Sequence, residues 1–234
     1  MGIRETGRAK REWPGHDSQP AHGLQAWFQA RARLMPGLLI QSPPWVHTVF
    51  DHAWAPMRAL AQQFQCLPSG LWAFLLNCPG GYVVITPDES QYVPGPANLR
   101  RRSVWNVAWI SVQDLARGNE RPLHTVGHLI DHYLGSAGEG EGPWFSEGGG
   151  VVPAWREEGA RLRGLFALGY GVDEIARSSL RDYFAQSLAY YCRDRKHLNM
   201  VDPPMEKWFR HTLWNQSFWQ ALSLDSGHPI REGR

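Results

Sequence analysis

The chain is short of cysteine, of long apolar runs and of net charge, and each shortage excludes something. Its three cysteines, Cys66, Cys78 and Cys192, are spread over 234 residues. They form no Cys-x-x-Cys metal pair and no disulfide framework. A reducing compartment is the expectation, with a single disulfide left open. No stretch approaches the ~18 apolar residues of a membrane span, and residues 1–22 lack the apolar centre of a signal peptide. A cytoplasmic chain is expected. The formal net charge of +2 offers no strong attraction to nucleic acid. The run Arg100-Arg101-Arg102 reads as a solvated loop.

What is present points to a folded domain. Twelve tryptophans and 43% hydrophobic residues supply a core, and 234 residues suit one domain. The expected organisation is a mobile segment at 1–22, a single domain over 23–224 and a polar tail over 225–234. Helical spacing predicts helices over 24–34 and over 49–64, with Pro56 marking a kink or a true first turn. Strands are predicted over 37–41, 71–78, 82–86 and, best of all, 104–112. Residues 87–103, with three prolines, read as a loop. Residues 136–150, rich in glycine and glutamate, read as a flexible rim from which Trp144 faces a ligand. Further helices are predicted over 154–168, over 172–195 with a candidate break at Ser178-Ser179, and over 206–223. The order gives an α+β fold, a small N-terminal mixed sheet with helices packed against a C-terminal helical half.

The stretch that carries chemistry is Pro122-Leu-His124-Thr125-Val-Gly-His128-Leu-Ile-Asp131-His132-Tyr. Asn119 and Pro122 are helix start signals, and Gly135 is a stop. On a helix, His124 and His128 share one face. That is how a helix offers two imidazoles to one metal ion. In the metalloprotease pattern His-Glu-x-x-His the glutamate is the general base, and here Thr125 holds its place. Taken alone, two such histidines read as ordinary hydrogen-bonded helix residues. His132, a turn further on and drifted around the axis, reads as the partner of a carboxylate.

Downstream lies Ser179-Leu-Arg-Asp182-Tyr-Phe-Ala-Gln186. Asp182 and Gln186 share a helix face. Ser179 and Asp182 also fit a capping box, in which Asp182 would only close a helix end. With the histidine stretch before it, this segment resembles the metalloprotease domain of the anthrax lethal factor family, which includes the bacterial Pro-Pro endopeptidases. That family reads His-Glu-x-Gly-His-x-x-Asp and later Glu-Phe/Tyr-Phe-Ala-Glu. Gly127, Asp131, Tyr183, Phe184 and Ala185 stand where the pattern places them, and the similarity spans about 104–213.

The resemblance implies a zincin-like metalloprotease fold and a zinc ion on His124, His128 and Asp182, supported by Asp131 and Gln186. It also implies damage. Thr125 replaces the base, whose work is typically worth ~10²–10⁴-fold in rate. Ile175 replaces the tyrosine seven residues before the third ligand, a transition-state donor of a kind typically worth ~10²–10³-fold. Asp182 and Gln186 each replace a glutamate. The expectation is a pseudoprotease that binds zinc and a peptide or protein, with a proline-rich peptide suggested by the family. One alternative is an active peptidase in which Glu139, Glu141 or Glu147 serves as base. Another is a metal-free partner-binding domain.

Overall fold

A computed structural model describes residues 20–99, 102–140 and 142–225. Residues 1–19 of the segment expected to be mobile, nearly all of the polar tail, Arg100, Arg101 and Glu141 lie outside the described residues, whereas residues 20–22 already belong to a helix. The order is α1 (Pro20–Arg31), β1 (Ala32–Leu34), α2 (Ala55–Gln63), α3 (Ser69–Asn77), β2 (Tyr82–Thr86), β3 (Gln91–Leu99), β4 (Arg102–Ser111), α4 (Val112–Arg117), α5 (Arg121–Ser136), α6 (Pro153–Phe166), α7 (Leu180–Arg193), α8 (Arg195–Val201), α9 (Pro203–His211) and α10 (Gln216–Asp225). Helices and a small mixed sheet share one chain, in the expected order of a sheet-bearing half followed by a helical half. Among the described residues no helix is long and apolar enough to cross a membrane.

The sheet runs in the order β1-β2-β4-β3. β2 pairs in parallel with β1 and β4, and β3 lies antiparallel to β4 at the edge. Strand alternation sends Val83, Ile85, Ala108 and Ile110 into the main core and Val84 and Val107 to a smaller cluster on the other face, which Val104 joins across the irregularity at Asn106. α5 packs on this sheet and against α7, so the histidine helix lies between the strands and the helical half.

Several expectations fail for physical reasons. Residues 71–77 belong to helix α3 instead of a strand, and Cys78 follows it in an extended conformation. A short continuous apolar run does not distinguish the two, but the buried positions Leu71, Trp72, Phe74 and Leu75 follow a helical face. Residues 37–41 form a turn, and the first strand is 32–34 instead. Residues 87–103 are largely strand, because β3 tolerates Pro94 and Pro96 at an edge and at a shift in register between Val93 and Pro96. There Asn106, held at φ 58°, accepts from Gly95 N and donates to Tyr133 and to Gly138 O.

The expected flexible rim is instead a packed strap. Phe145 and Ser146 are fully buried and Trp144 nearly so. Cys66 and Cys192, 126 residues apart, form a disulfide. Spacing does not reveal a pair made only by folding, and the bond removes the ground for expecting a reducing compartment. The expected helix over 172–195 is shorter: residues 172–178 form turns and bends, and α7 begins only at Leu180, where Ser179 caps it. Pro56 does lie in the first turn of α2.

Candidate metal centre

The site begins with a close helix crossing. Gly127 on α5 faces Ala185 on α7, and a Cβ at position 127 would fall 2.7 Å from Ala185 Cα. A side chain there would wedge the helices apart. With glycine they close, and the histidine face of α5 meets the first turn of α7.

That crossing brings His124, His128 and Asp182 together. The two Nε2 atoms are 3.1 Å apart, and Asp182 Oδ1 lies 3.6 Å from His124 Nε2 and 3.3 Å from His128 Nε2. Metal bonds of ~2.05 Å separate tetrahedral donors by about 3.3 Å and octahedral donors by about 2.9 Å. All three edges exceed the octahedral value and bracket the tetrahedral one. One imidazole–imidazole–carboxylate set at this spacing fits zinc with a fourth position left for a ligand.

The protonation states agree with that use. Burial, then the neighbouring His128, lower the His124 pKa to about 4 against the pull of Asp182. His124 is therefore neutral near pH 7, the form that binds metal. Asp182 is held below the usual carboxylate range, first by the His128 imidazole and then by the Ser179 and Ser178 hydroxyls, against the opposing effect of its partial burial. It presents a charged oxygen.

The capping and ligand readings of Asp182 are both present. Ser179 Oγ accepts from Asp182 N at 3.0 Å and donates to Oδ2 at 2.6 Å, and Ser178 Oγ lies 2.8 Å from Oδ2. Oδ1 faces the histidines. The serines thus fix the carboxylate through one oxygen and leave the other for the site.

The remaining predicted residues are spread out. Gln186 lies beside His124 and donates to Asp173 Oδ2 at 2.7 Å. His124 Nδ1 is nevertheless buried without a hydrogen-bond partner. Asp131 is elsewhere, accepting from Ser146 N at 2.7 Å and from Ser146 Oγ at 2.6 Å. It anchors the strap. Among the described residues His132 meets no carboxylate. Its Nδ1 pairs with Tyr92 OH at 2.7 Å and its Nε2 with Glu139 O at 3.2 Å. Thr125 is buried and lines the pocket beside the histidines. Ile175 is 44% exposed and does not line it.

The pocket over the three donors holds about 350 Å³. Spacing gave no sign of two of its walls, Tyr92 from β3 and Arg181 from α7. Trp144, read as facing a ligand, does line the pocket, but it is mostly covered. His132 stacks on it at 5.1 Å and Arg181 lies 4.0 Å over its ring. Arg181 also grips Glu147 through both carboxylate oxygens, at 2.8 and 3.0 Å. No protein-family model, curated protein or solved structure matches this chain.

Proposed function

We propose that this chain is a zincin-like domain of the lethal factor kind, in which His124, His128 and Asp182 hold zinc. In this reading peptide hydrolysis has been lost and binding of a peptide or protein remains. The observation that carries it is the convergence of three donor atoms at tetrahedral spacing in an open pocket with Thr125 beside them.

The chain's own groups support loss of hydrolysis. The Thr125 hydroxyl takes no proton at neutral pH, and Ile175 points no donor at the site. Of the candidate substitute bases, Glu147 has both oxygens engaged by Arg181. Glu139 has an exposed side chain, and only its backbone carbonyl reaches toward this region, at His132. A bound zinc would supply a Lewis acid at the open position. The residues around it supply position and shape: Asp182 fixed by two serines, and the His124 and His128 rings packed edge to face at 4.7 Å. The edge of β3 passes the pocket at Gln91, Tyr92 and Pro94, where an extended peptide can add backbone hydrogen bonds. A proline-rich peptide is the first ligand to try, and that choice rests on the resemblance.

The test is metal content per chain, by elemental analysis, after zinc loading and removal of the excess. About one zinc per chain, lost in His124→Ala, is the expected result. No zinc in the wild-type chain overturns the reading. Zinc-dependent cleavage of a proline-rich peptide, abolished by His128→Ala, would restore the active peptidase in its place.

A further inference from the structure

Arg181 lines the pocket from α7 without belonging to the metal set. Its guanidinium is held in place on two sides, by the Trp144 ring and by the Glu147 carboxylate. Those hydrogen bonds use Nε and Nη2, and Nη1 has no partner among the described residues. A guanidinium fixed beforehand loses less freedom on binding a ligand than a free one.

The charges around it point the same way. With a divalent ion bound, Asp182 cancels one of its two charges, and Glu147 cancels Arg181. Among the described residues, no other side chain lining the pocket is charged, and an imidazole bound to a metal is neutral. One positive charge is left over. A glutamate at position 125 would cancel it, and Thr125 does not. Replacing the base thus changes the loaded pocket from balanced to cationic.

We infer that the loaded pocket selects carboxylates, one held jointly by the metal's open position and the Arg181 guanidinium. The inference rests on the zinc reading above. A carboxylate matches both sites, because it is a hard oxygen ligand for the metal and a planar acceptor for a guanidinium. The carboxylate belongs either to a peptide C-terminus or to an acidic side chain.

Three probes separate the sources: acetyl-Pro-Pro with a free C-terminus, its C-terminal amide, and acetyl-Pro-Glu amide. Each is titrated calorimetrically into the zinc-loaded full chain, with zinc content measured on the same sample. At least one acid is expected to bind about 10-fold or more tighter than the neutral amide, the size of a charge-assisted contact. In Arg181→Gln, with zinc retained, that preference falls to about 3-fold or less. Thr125→Glu should remove the preference too, while Thr125→Gln, of similar size and uncharged, should keep it. Equal binding of acids and amide by a zinc-loaded wild-type chain overturns the inference and leaves the zinc reading standing. So does a preference that Arg181→Gln leaves intact. A wild-type chain that takes no zinc overturns both.

Discussion

The two halves of α5 carry similar residues and put them to opposite use. In the first half, His124 and His128 are partly exposed and have few partners. They face each other and Asp182, and His124 Nδ1 is buried with no hydrogen bond. In the second half, Asp131, His132 and Tyr133 are fully buried and fully paired. Ser146 takes both Asp131 oxygens. Tyr92 and Glu139 O take both His132 nitrogens. Tyr133 OH donates to Pro79 O and accepts from Asn106. His128 and His132 are four residues apart, as are His124 and His128, so spacing does not separate a candidate ligand from scaffold. Pairing does. Satisfied buried polar groups hold a structure together, whereas unsatisfied ones that converge need another explanation.

The sharpest way to break this contrast is to delete one histidine from each half. His128→Ala should weaken zinc binding by on the order of 10²–10³-fold, one ligand's share of a structural zinc site. The metal-free stability should change little. His132→Ala should do the reverse, keeping zinc within a few-fold and losing about 2 kcal/mol as Tyr92 OH and Glu139 O lose their partner. A competition titration with a chelator and a urea melt measure the two effects. Equal losses of zinc in both variants would erase the distinction.

Asp131 tests the scaffold half next. Asp131→Ala strands Ser146, itself fully buried, and should cost about 3 kcal/mol in urea unfolding. Asp131→Asn can keep both contacts, with Oδ1 accepting from Ser146 N and the amide donating to Ser146 Oγ. It should cost far less. The two forms also differ with pH. Burial raises the Asp131 carboxyl to about 7 from 3.8. Between those values the native chain keeps a proton that the unfolded chain has lost. The contribution of this group is therefore complete below 3.8 and declines as pH rises toward 7, by at most about 1.4 kcal/mol per unit. Asp131→Asn lacks that decline, so its stability relative to wild type should improve from pH 4 to pH 7. A constant gap would show that Asp131 is ionised throughout.

How much of this was legible in the sequence depends on how local each feature is. Pro56 in a first turn, the start of α5 at Pro122, β4 and the cap at Ser179 all arise from neighbours within a few residues, and they read correctly. The pairing of His124 with His128 is likewise one helical turn. What failed needed distant partners. Leu71 to Asn77 could be helix or strand until its packing was known. Pro94 and Pro96 sit in a strand because Asn106, on the next strand, supports the irregular register. Residues 136–150 looked too poor in apolar side chains to pack, yet Asp131 and Arg181 hold the strap down from two helices. Asp131 itself was assigned to the site because the resemblance placed it there, and the structure gives it to Ser146 instead. Arg181 gave no signal at all, being one charged residue on a helix until Trp144 and Glu147 meet it.

Gly127 sharpens the first half from the side of packing. Gly127→Ala puts a methyl group 2.7 Å from Ala185 Cα and 2.9 Å from its Cβ. Backbone must move to admit it, at a cost of about 1–3 kcal/mol. The shift separates α5 from α7, so zinc affinity should fall with stability. A variant that loses stability and keeps its zinc affinity would mean that the donors converge without the close crossing.

The smallest effect separates the two uses of one serine. Ser179 caps α7 by accepting from Asp182 N, and it fixes the Asp182 carboxylate by donating to its Oδ2. Ser179→Ala removes both and should cost about 1 kcal/mol of stability. Zinc affinity should fall by about 10-fold, as for other losses of an orienting partner. Ser179→Asp restores an acceptor for the cap and places a second carboxylate against Asp182. If the serine acts only as a cap, stability and zinc affinity should both return. If its hydroxyl also aims Asp182, stability should return while zinc affinity stays low, since an ionised aspartate has no proton to donate to Oδ2. A capping residue would then be part of the metal centre without touching the metal.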